Sequence, residues 1–493
     1  MIVTAYPVAT APGSDILAMK VEKSEKFKAW HRWLIVATCA LAVAFCPVPE
    51  GIKRESWILL AIFLATIVGS IARPVPAGAM VLIGVAALPI FGALSIGDAL
   101  KGYADPVVWL VLIAFFLARG MIKTGLGRRI ALLFVRAIGH TTLGLGYALA
   151  FTDGVLSSVV PSNGARNGGI VMPIARSVAE TYDSTPEENP EKLGTFLMNL
   201  LYQCDVIFCA TFLTGQASNI IIARFAQQTA GIEITYARWF VGAIVPALIS
   251  LAVVPLLIYR FFPPGIKHTP AAAQLASEEL EKMGAMSRHE TLMLLTFIAT
   301  AALWMTKGWL HNLDTTVVAL IGLVGLLVSK VLNWEDLIQE KAAWEVFIWY
   351  GGLVNMAGAL GETGLTKLFA ERAAGLTTGW QWSAALAVLV FVYFYSHYAF
   401  ASITAHVTAM FIPFLTVSLT AGAPAGLAVL LLAYFSNLNA SITHYGTTSG
   451  AVYFGTGYVR QGNWWTIGFL ASIANILIWT VFGLVWWKIL GWW

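Results

Sequence analysis

The chain has 493 residues, 58% of them hydrophobic and only 11% charged, and its mean hydropathy is +0.75. That balance excludes a soluble protein of this size and points to an all-α polytopic membrane protein. The net charge of +4 decides little, because orientation follows the placement of Lys and Arg in the loops. The four cysteines lie in apolar runs, the eight histidines are scattered singly, and there is no GxxxxGK[ST] loop. Disulfides, metal, cofactors and ATP-driven transport are therefore not expected, and neither is a nucleic-acid partner.

Residues 1–32 read as a cytoplasmic segment in which Lys20, Lys23, Lys26, Lys28 and Arg32 precede the first apolar run. No cleavable signal is expected, and the first transmembrane helix, within 33–55, serves as the anchor. Eleven spans are predicted, at 33–49, 56–72, 78–96, 107–122, 195–226, 238–261, 291–309, 315–332, 345–361, 426–455 and 465–489, since about 20 residues cross the hydrocarbon core. Lys123, Arg128, Arg129 and Arg136 follow the fourth span and read as cytoplasmic, whereas the 97–106 loop carries two aspartates against one lysine. An odd span number places the C-terminus outside. The expected location is a bacterial inner (plasma) membrane, with a plastid envelope as the alternative. Trp464, Trp465, Trp486, Trp487, Trp492 and Trp493 are expected in aromatic belts.

Between the fourth and fifth spans, an apolar stretch near 146–178 is interrupted by Pro-Ser-Asn-Gly, and its two arms are short for a crossing. Unpaired backbone at membrane depth survives only inside protein or beside an aqueous cavity, so a re-entrant hairpin is predicted. Its tip, PSNGARNGGIVMP at 161–173, aligns without a gap to ASITAHVTAMFIP at 401–413. KTGLGR (123–128) and ETGLTK (362–367), and Trp109 and Trp349, keep nearly the same separation. A second hairpin is therefore predicted near 383–415. Five crossings separate Trp109 from Trp349, which makes the two copies inverted repeats, 56–262 and 291–493, joined by a cytoplasmic linker at 263–290. Amphipathic stretches at 125–139 and 364–375 read as interfacial helices or as ordinary connectors. The fifth and tenth spans are broken by LTGQASN (213–219) and NASITHYGTTSG (439–450).

Ser162, Asn163 and Gly164 at one tip, with Ser402 and Thr404 at the other, offer hydroxyls, an amide and free N–H groups suited to a carboxylate. Arg166 and His406 stand at equivalent positions. An arginine at bilayer depth is either functional or a clamp onto a carbonyl or a carboxylate such as Asp153 or Asp205. Asp205 itself is a proton site or a cation partner. His444 is a site residue or a satisfied core histidine.

These tips, with SHYAFASITAHVTA, SITHYGTTSGAVYFGTGYV and FFPPGIK after span six, resemble the divalent anion/sodium symporter family. The resemblance runs from about residue 30 to the end and is closest to the dicarboxylate exchanger branch. It implies a homodimer in the bilayer, each protomer with a scaffold domain and a transport domain that moves as an elevator. The family's paired Ser-Asn-Thr motifs map to Ser162-Asn163-Gly164 and Ser402-Ile403-Thr404, so each copy departs from the pattern. The broken helices map to the stretches from Thr214 and Gly215 to Ser218 and Asn219, and from Gly446 and Thr447 to Thr448 and Ser449. Sodium-coupled members hold Na⁺ within reach of the positions taken here by Arg166 and His406. A guanidinium there would repel Na⁺ and supply the charge itself, and left unpaired it would hold back the empty carrier. The expected function is sodium-independent exchange of one C4 or C5 dicarboxylate (succinate, malate or 2-oxoglutarate type) for a counter-substrate. A Na⁺- or H⁺-coupled di- or tricarboxylate symporter is the alternative, and a membrane-embedded enzyme or sensor a remote one.

Overall fold

A computed structural model describes residues 14–363, 365, 375 and 379–493, with side chains from Trp30 onward. Regular structure among these residues is helical. Ser14–Phe45 is one continuous helix, so there is no break between the polar leading segment and the first apolar run. Next come Arg54–Ala72, Ala77–Ile90, the short Ile96–Leu100 and Pro106–Thr124. The amphipathic Leu126–Ile138 leads into a first hairpin, whose outward arm is Thr142–Ser157 and whose return arm spans 163–181. A broken helix, Gly194–Thr211 and Ala217–Ala230, and the 26-residue Tyr236–Phe261 complete this half.

The same order recurs in the second half. It runs Arg288–Thr306, Thr315–Val328, Trp334–Ile338, Lys341–Glu362, a hairpin of Trp382–Ser396 and Ile403–Thr420, a broken helix of Ala425–Leu438 and Thr448–Phe454, and the final Gln461–Ile489. Even the caps correspond. Ser95 and Asn333 each open a five-residue helix by accepting the N–H of an aspartate three residues on, Asp98 or Asp336. Apart from Leu365 and Gly375, the stretch at 364–375 lies outside the described residues, as do three of the six residues of ETGLTK.

Six helices among the described residues are long and apolar enough to cross a membrane: 54–72, 106–124, 236–261, 382–399, 403–420 and 461–489. Four shorter apolar helices lie at 30–45, 77–90, 315–328 and 425–441. The predicted spans at 195–226 and 426–455 are each split at their polar runs. The second hairpin differs from expectation in length. Its 15-residue outward helix continues through a 3-10 turn, so both arms reach 18 residues, enough by length and composition to cross. Two of the tryptophans expected in lipid belts are interior. Trp464 packs tilted against Tyr202 with ring centroids 4.7 Å apart, and Trp487 donates to Gly242 O, because both face helices rather than lipid.

The linker is docked. Its helix, Pro270–Met283, packs on Leu126–Ile138 and on the return arm of the first hairpin. Thr142 N–H donates to Lys267 O and Thr269 N–H to His140 O, while Arg128 pairs with Glu279 at 2.6 Å. Arg129 grips Glu290 with Nε and Nη2 at 2.6 and 3.2 Å. Burial alone would push the Glu290 carboxyl up. The Arg129 fork and the Ser287 N–H reverse this and hold it below the ordinary carboxylate range.

Candidate functional site

Three of the broken elements converge at the first tip. Pro161 ends the outward arm, and Ser162 caps the return arm by accepting the N–H of Ala165. The return arm opens with one α-turn, 163–166, followed by a π-helical stretch, Asn167–Val171. This places Asn163, Arg166 and Asn167 on its buried side.

Arg166 is fully buried and completely engaged. Nε donates to Asp153 Oδ1 at 2.7 Å and Nη2 to Asp205 Oδ1 at 3.0 Å. Nη1 donates to two carbonyls freed by the breaks, Val160 O at 2.7 Å and Gly215 O at 2.8 Å. The expectation of an uncompensated guanidinium at the tip is therefore corrected. Two carboxylates from neighbouring helices neutralise it, and Asp205 is the cation partner. A buried charge needs such partners, and the fork of arginine supplies enough donors to reach both carboxylates and both carbonyls.

Asn163 carries the tip across to the second broken helix. Its Nδ2 donates to Thr447 Oγ1 at 2.6 Å and to Ser449 Oγ at 3.0 Å, with Asp205 Oδ2 at 3.5 Å. Ser449 Oγ donates to Asp205, and Asn167 Nδ2 donates to Asp205 Oδ1 at 2.9 Å. Tyr453 OH donates to Asn167 Oδ1. A single network thus joins the first hairpin to both broken helices.

Gly164 departs from the Ser-Asn-Thr pattern for a steric reason. A Cβ there would stand 2.6 Å from Thr448 Cγ2, so Thr448 fills the space a threonine at 164 would need. Gly164→Thr is expected to slow transport roughly tenfold or more, matching an overpacking cost of about 1–3 kcal/mol. Adding Thr448→Ser, which removes the clashing Cγ2 and keeps the hydroxyl, should restore part of the rate, as uptake into proteoliposomes would read. No recovery in the double variant would refute the steric account.

The remaining candidates divide. Thr214 Oγ1 donates to Ser157 O at 3.0 Å, tying the first break to the hairpin. Gly215 is forced to be glycine, since a Cβ would lie 2.8 Å from two carbonyl oxygens of the preceding helix. Asn219 caps the unwound end of that helix by donating to Cys209 O and Phe212 O, and accepts from Asn437 Nδ2 at 2.8 Å. Ser218 Oγ is buried without a hydrogen-bond partner. His444 packs among aromatic rings. It stacks on Phe454 with ring centroids 4.2 Å apart and accepts the Trp465 indole N–H at 3.3 Å.

At the second tip, the hydroxyls of Ser402 and Thr404 are half-buried and enter no hydrogen bond among the described residues. His406 is buried. Asn439 Nδ2 donates to its Nδ1 at 3.3 Å, which leaves Nε2 to donate to Ser396 Oγ at 2.9 Å. The break at 446–449 lies against both tips. Gly446 abuts His397, Thr447 accepts from Asn163 and Thr448 covers Gly164. Asn167, Ser396, Asn439 and His397 were not singled out from sequence. The signal for Asn167 was its place one helical turn after Asn163.

Over residues 26–493 the chain matches the family described as the sodium:sulfate symporter transmembrane region. It is 46% identical to a putative malate transporter, YflS, of Bacillus subtilis, across 93% of this chain and 96% of that protein. It is 43% identical to the chloroplastic dicarboxylate transporter 1 of Arabidopsis thaliana, across 92% and 82%, and 35% identical to the inner membrane protein YbhI of Escherichia coli, across 94% and 98%. In fold it is similar to the YdaH transporter of Alcanivorax borkumensis, with a TM-score of 0.58 at 16% identity, covering 89% of this chain and 99% of that one.

Proposed function

Because the chain belongs to the family of sodium:sulfate symporter transmembrane regions, we propose that it is a secondary active transporter exchanging C4 or C5 dicarboxylates without sodium, by an elevator movement within a homodimer. Transport, rather than catalysis, is the activity that the family and its named relatives share. The names of the malate and dicarboxylate transporters support the substrate class. The two tips, meeting at the 446–449 break, support a site that grips one carboxylate at each end. Ser162, the backbone N–H groups at 163 and 164, and Thr448 serve the first. Ser402, Thr404 and the N–H groups that open Ile403–Thr420 serve the second.

The observation that carries sodium independence is the position of Arg166 Nη1. It occupies two backbone carbonyls, Val160 O and Gly215 O, at the tip and the break. Such carbonyls are the oxygen ligands that unwound backbone offers a cation. A guanidinium already bonded to both leaves neither the space nor the free oxygens. With its charge compensated, Arg166 does not explain why an empty carrier should stay put. Hydroxyl and N–H groups at the tips that only a substrate satisfies supply that restraint, since unpaired polar groups are costly away from water.

The test is uptake of labelled succinate into proteoliposomes loaded with succinate, 2-oxoglutarate or nothing, with and without an inward Na⁺ gradient. The expected result is uptake only into dicarboxylate-loaded vesicles, indifferent to Na⁺. Na⁺-driven uptake into empty vesicles would overturn exchange and the role given to Arg166.

A further inference from the structure

The two tips are unlike in charge. The first holds Asp153, Arg166 and Asp205, joined by two ion pairs that leave only Asp153 Oδ2 of the three side chains without a hydrogen-bond partner. Between Arg372 and Arg460 the chain has no Asp, Glu, Lys or Arg, only His397, His406 and His444. The second hairpin from Trp382 onward and the second broken helix fall wholly inside that stretch, so a cation that these two elements supply for a second carboxylate has to be an imidazolium.

The three histidines differ in what they have to spare. His444 accepts the Trp465 indole N–H on Nδ1, and His406 has both ring nitrogens bonded. His397 is fully buried in the turn His397–Ala399, and neither Nδ1 nor Nε2 has a hydrogen-bond partner. Its Nε2 points at the break, where a Cβ on Gly446 would stand 2.7 Å from it and 2.5 Å from Thr443 Oγ1. Thr443 Oγ1 and Asn439 Oδ1, also buried, are without partners too. A cluster of orphaned polar atoms around one break is the mark of a place that is completed by something absent from the empty protein.

We propose that His397 is the proton-binding residue of the second tip, and that it takes up one proton together with the dicarboxylate. This rests on the transport reading above. The proton comes from water on the loading side, or from the substrate when it arrives as the monoanion. It binds the free ring nitrogen lone pair, and the imidazolium then stabilises the carboxylate held by Ser402 and Thr404 across Gly446. Release of the substrate returns the proton to water. In exchange of like for like the proton crosses in both directions, so binding is proton-linked while no pH gradient is consumed.

Few other titratable or charged groups lie on the elements around His397. Its own hairpin brings His406, 5.2 Å away between ring centroids, with Tyr393, Tyr395 and Tyr398. The second broken helix brings Tyr434, His444 and Tyr445. Ala217–Ala230, packed on the return arm, brings Arg224, already paired with Asp105 at 2.6 Å. The return arm also touches Arg54–Ala72, whose charged residues Arg54 and Glu55 stand in its first turn.

The experiment measures succinate self-exchange in proteoliposomes with equal pH on both sides, from about pH 6 to about pH 8, the range in which imidazole titrates. In the wild type KM should rise with pH, approaching tenfold per unit at the alkaline end. His397→Gln should raise KM at acid pH and lose the slope beyond what ionisation of succinate itself imposes. His406→Gln should keep the slope. An unchanged slope in His397→Gln, or loss of it only in His406→Gln, overturns the assignment. Proton uptake on succinate binding to the purified wild-type carrier in weak buffer needs no variant. About one proton per protomer is expected, and none would overturn the proposal. That reading is independent of whether vesicle transport proves to be exchange or Na⁺-driven.

Discussion

Arg166→Ala should leave no folded transporter. The substitution strands Asp153 and Asp205 as buried carboxylates and frees the carbonyls of Val160 and Gly215 at once. Removing one partner of a buried ion pair costs about 3–5 kcal/mol, and each orphaned acceptor adds roughly 1–3 kcal/mol. That is comparable to the whole stability of a typical domain, about 5–15 kcal/mol. The expected result in detergent is loss of the monodisperse peak by size-exclusion chromatography. Arg166→Lys keeps the charge but has one nitrogen for four acceptors. It should fold with a lowered unfolding temperature and exchange succinate at least about a hundredfold more slowly. The triple variant Arg166→Leu, Asp153→Asn, Asp205→Asn removes the charges together and should recover much of the peak, because replacing a whole buried ion set is often tolerated. If the triple variant is as unstable as Arg166→Ala, electrostatics is not what makes Arg166 indispensable.

How far the sequence discloses this arrangement depends on the kind of interaction. The breaks are legible because Pro161, Gly215 and Gly446 interrupt apolar runs, and an unpaired backbone in such a run has few solutions. The repeated order of elements is legible through the aligned tips at 161–173 and 401–413. Which polar residue meets which is not. Asp153 and Asp205 can each be named from the sequence as a clamp for Arg166, but the three sit in separate helices, and nothing in their spacing tells that both carboxylates fall on the one guanidinium. An arginine in an apolar run is equally consistent with a free charge and a clamp, and only packing decides for the clamp. His397 was hidden for the opposite reason. Five residues before Ser402, it reads as part of the hairpin arm, and its lack of a hydrogen-bond partner is a property of the surroundings. Span lengths misled in the second hairpin because the 3-10 turn at 397–399 extends an arm that its apolar run alone would end sooner.

Asn163 should separate folding from transport. Its amide is the link between the first tip and the 446–449 break, with Thr447, Ser449 and Asp205 around a single nitrogen. In Asn163→Ala Ser449 still donates to Asp205 and only Thr447 loses its side-chain bond, so the loss in stability should stay near a hydrogen bond or two, about 1–3 kcal/mol. Exchange should fall much further, about a hundredfold, because the tip is no longer held in register with the break. Asn163→Asp is nearly the same shape but puts a carboxylate about where Nδ2 lies 3.5 Å from Asp205 Oδ2. At an effective dielectric of about 20 that repulsion is about 5 kcal/mol, and it also faces the incoming anion. This variant should therefore be worse than alanine in both unfolding temperature and uptake. Pairing it with Asp205→Asn exchanges amide and carboxylate across the contact and restores the net charge of the network. The double variant should regain the stability of Asn163→Ala or better, measured by thermal unfolding in detergent, and a measurable part of the exchange rate. If Asn163→Asp alone matches Asn163→Ala in both measurements, the charge balance at the first tip is not what the network maintains.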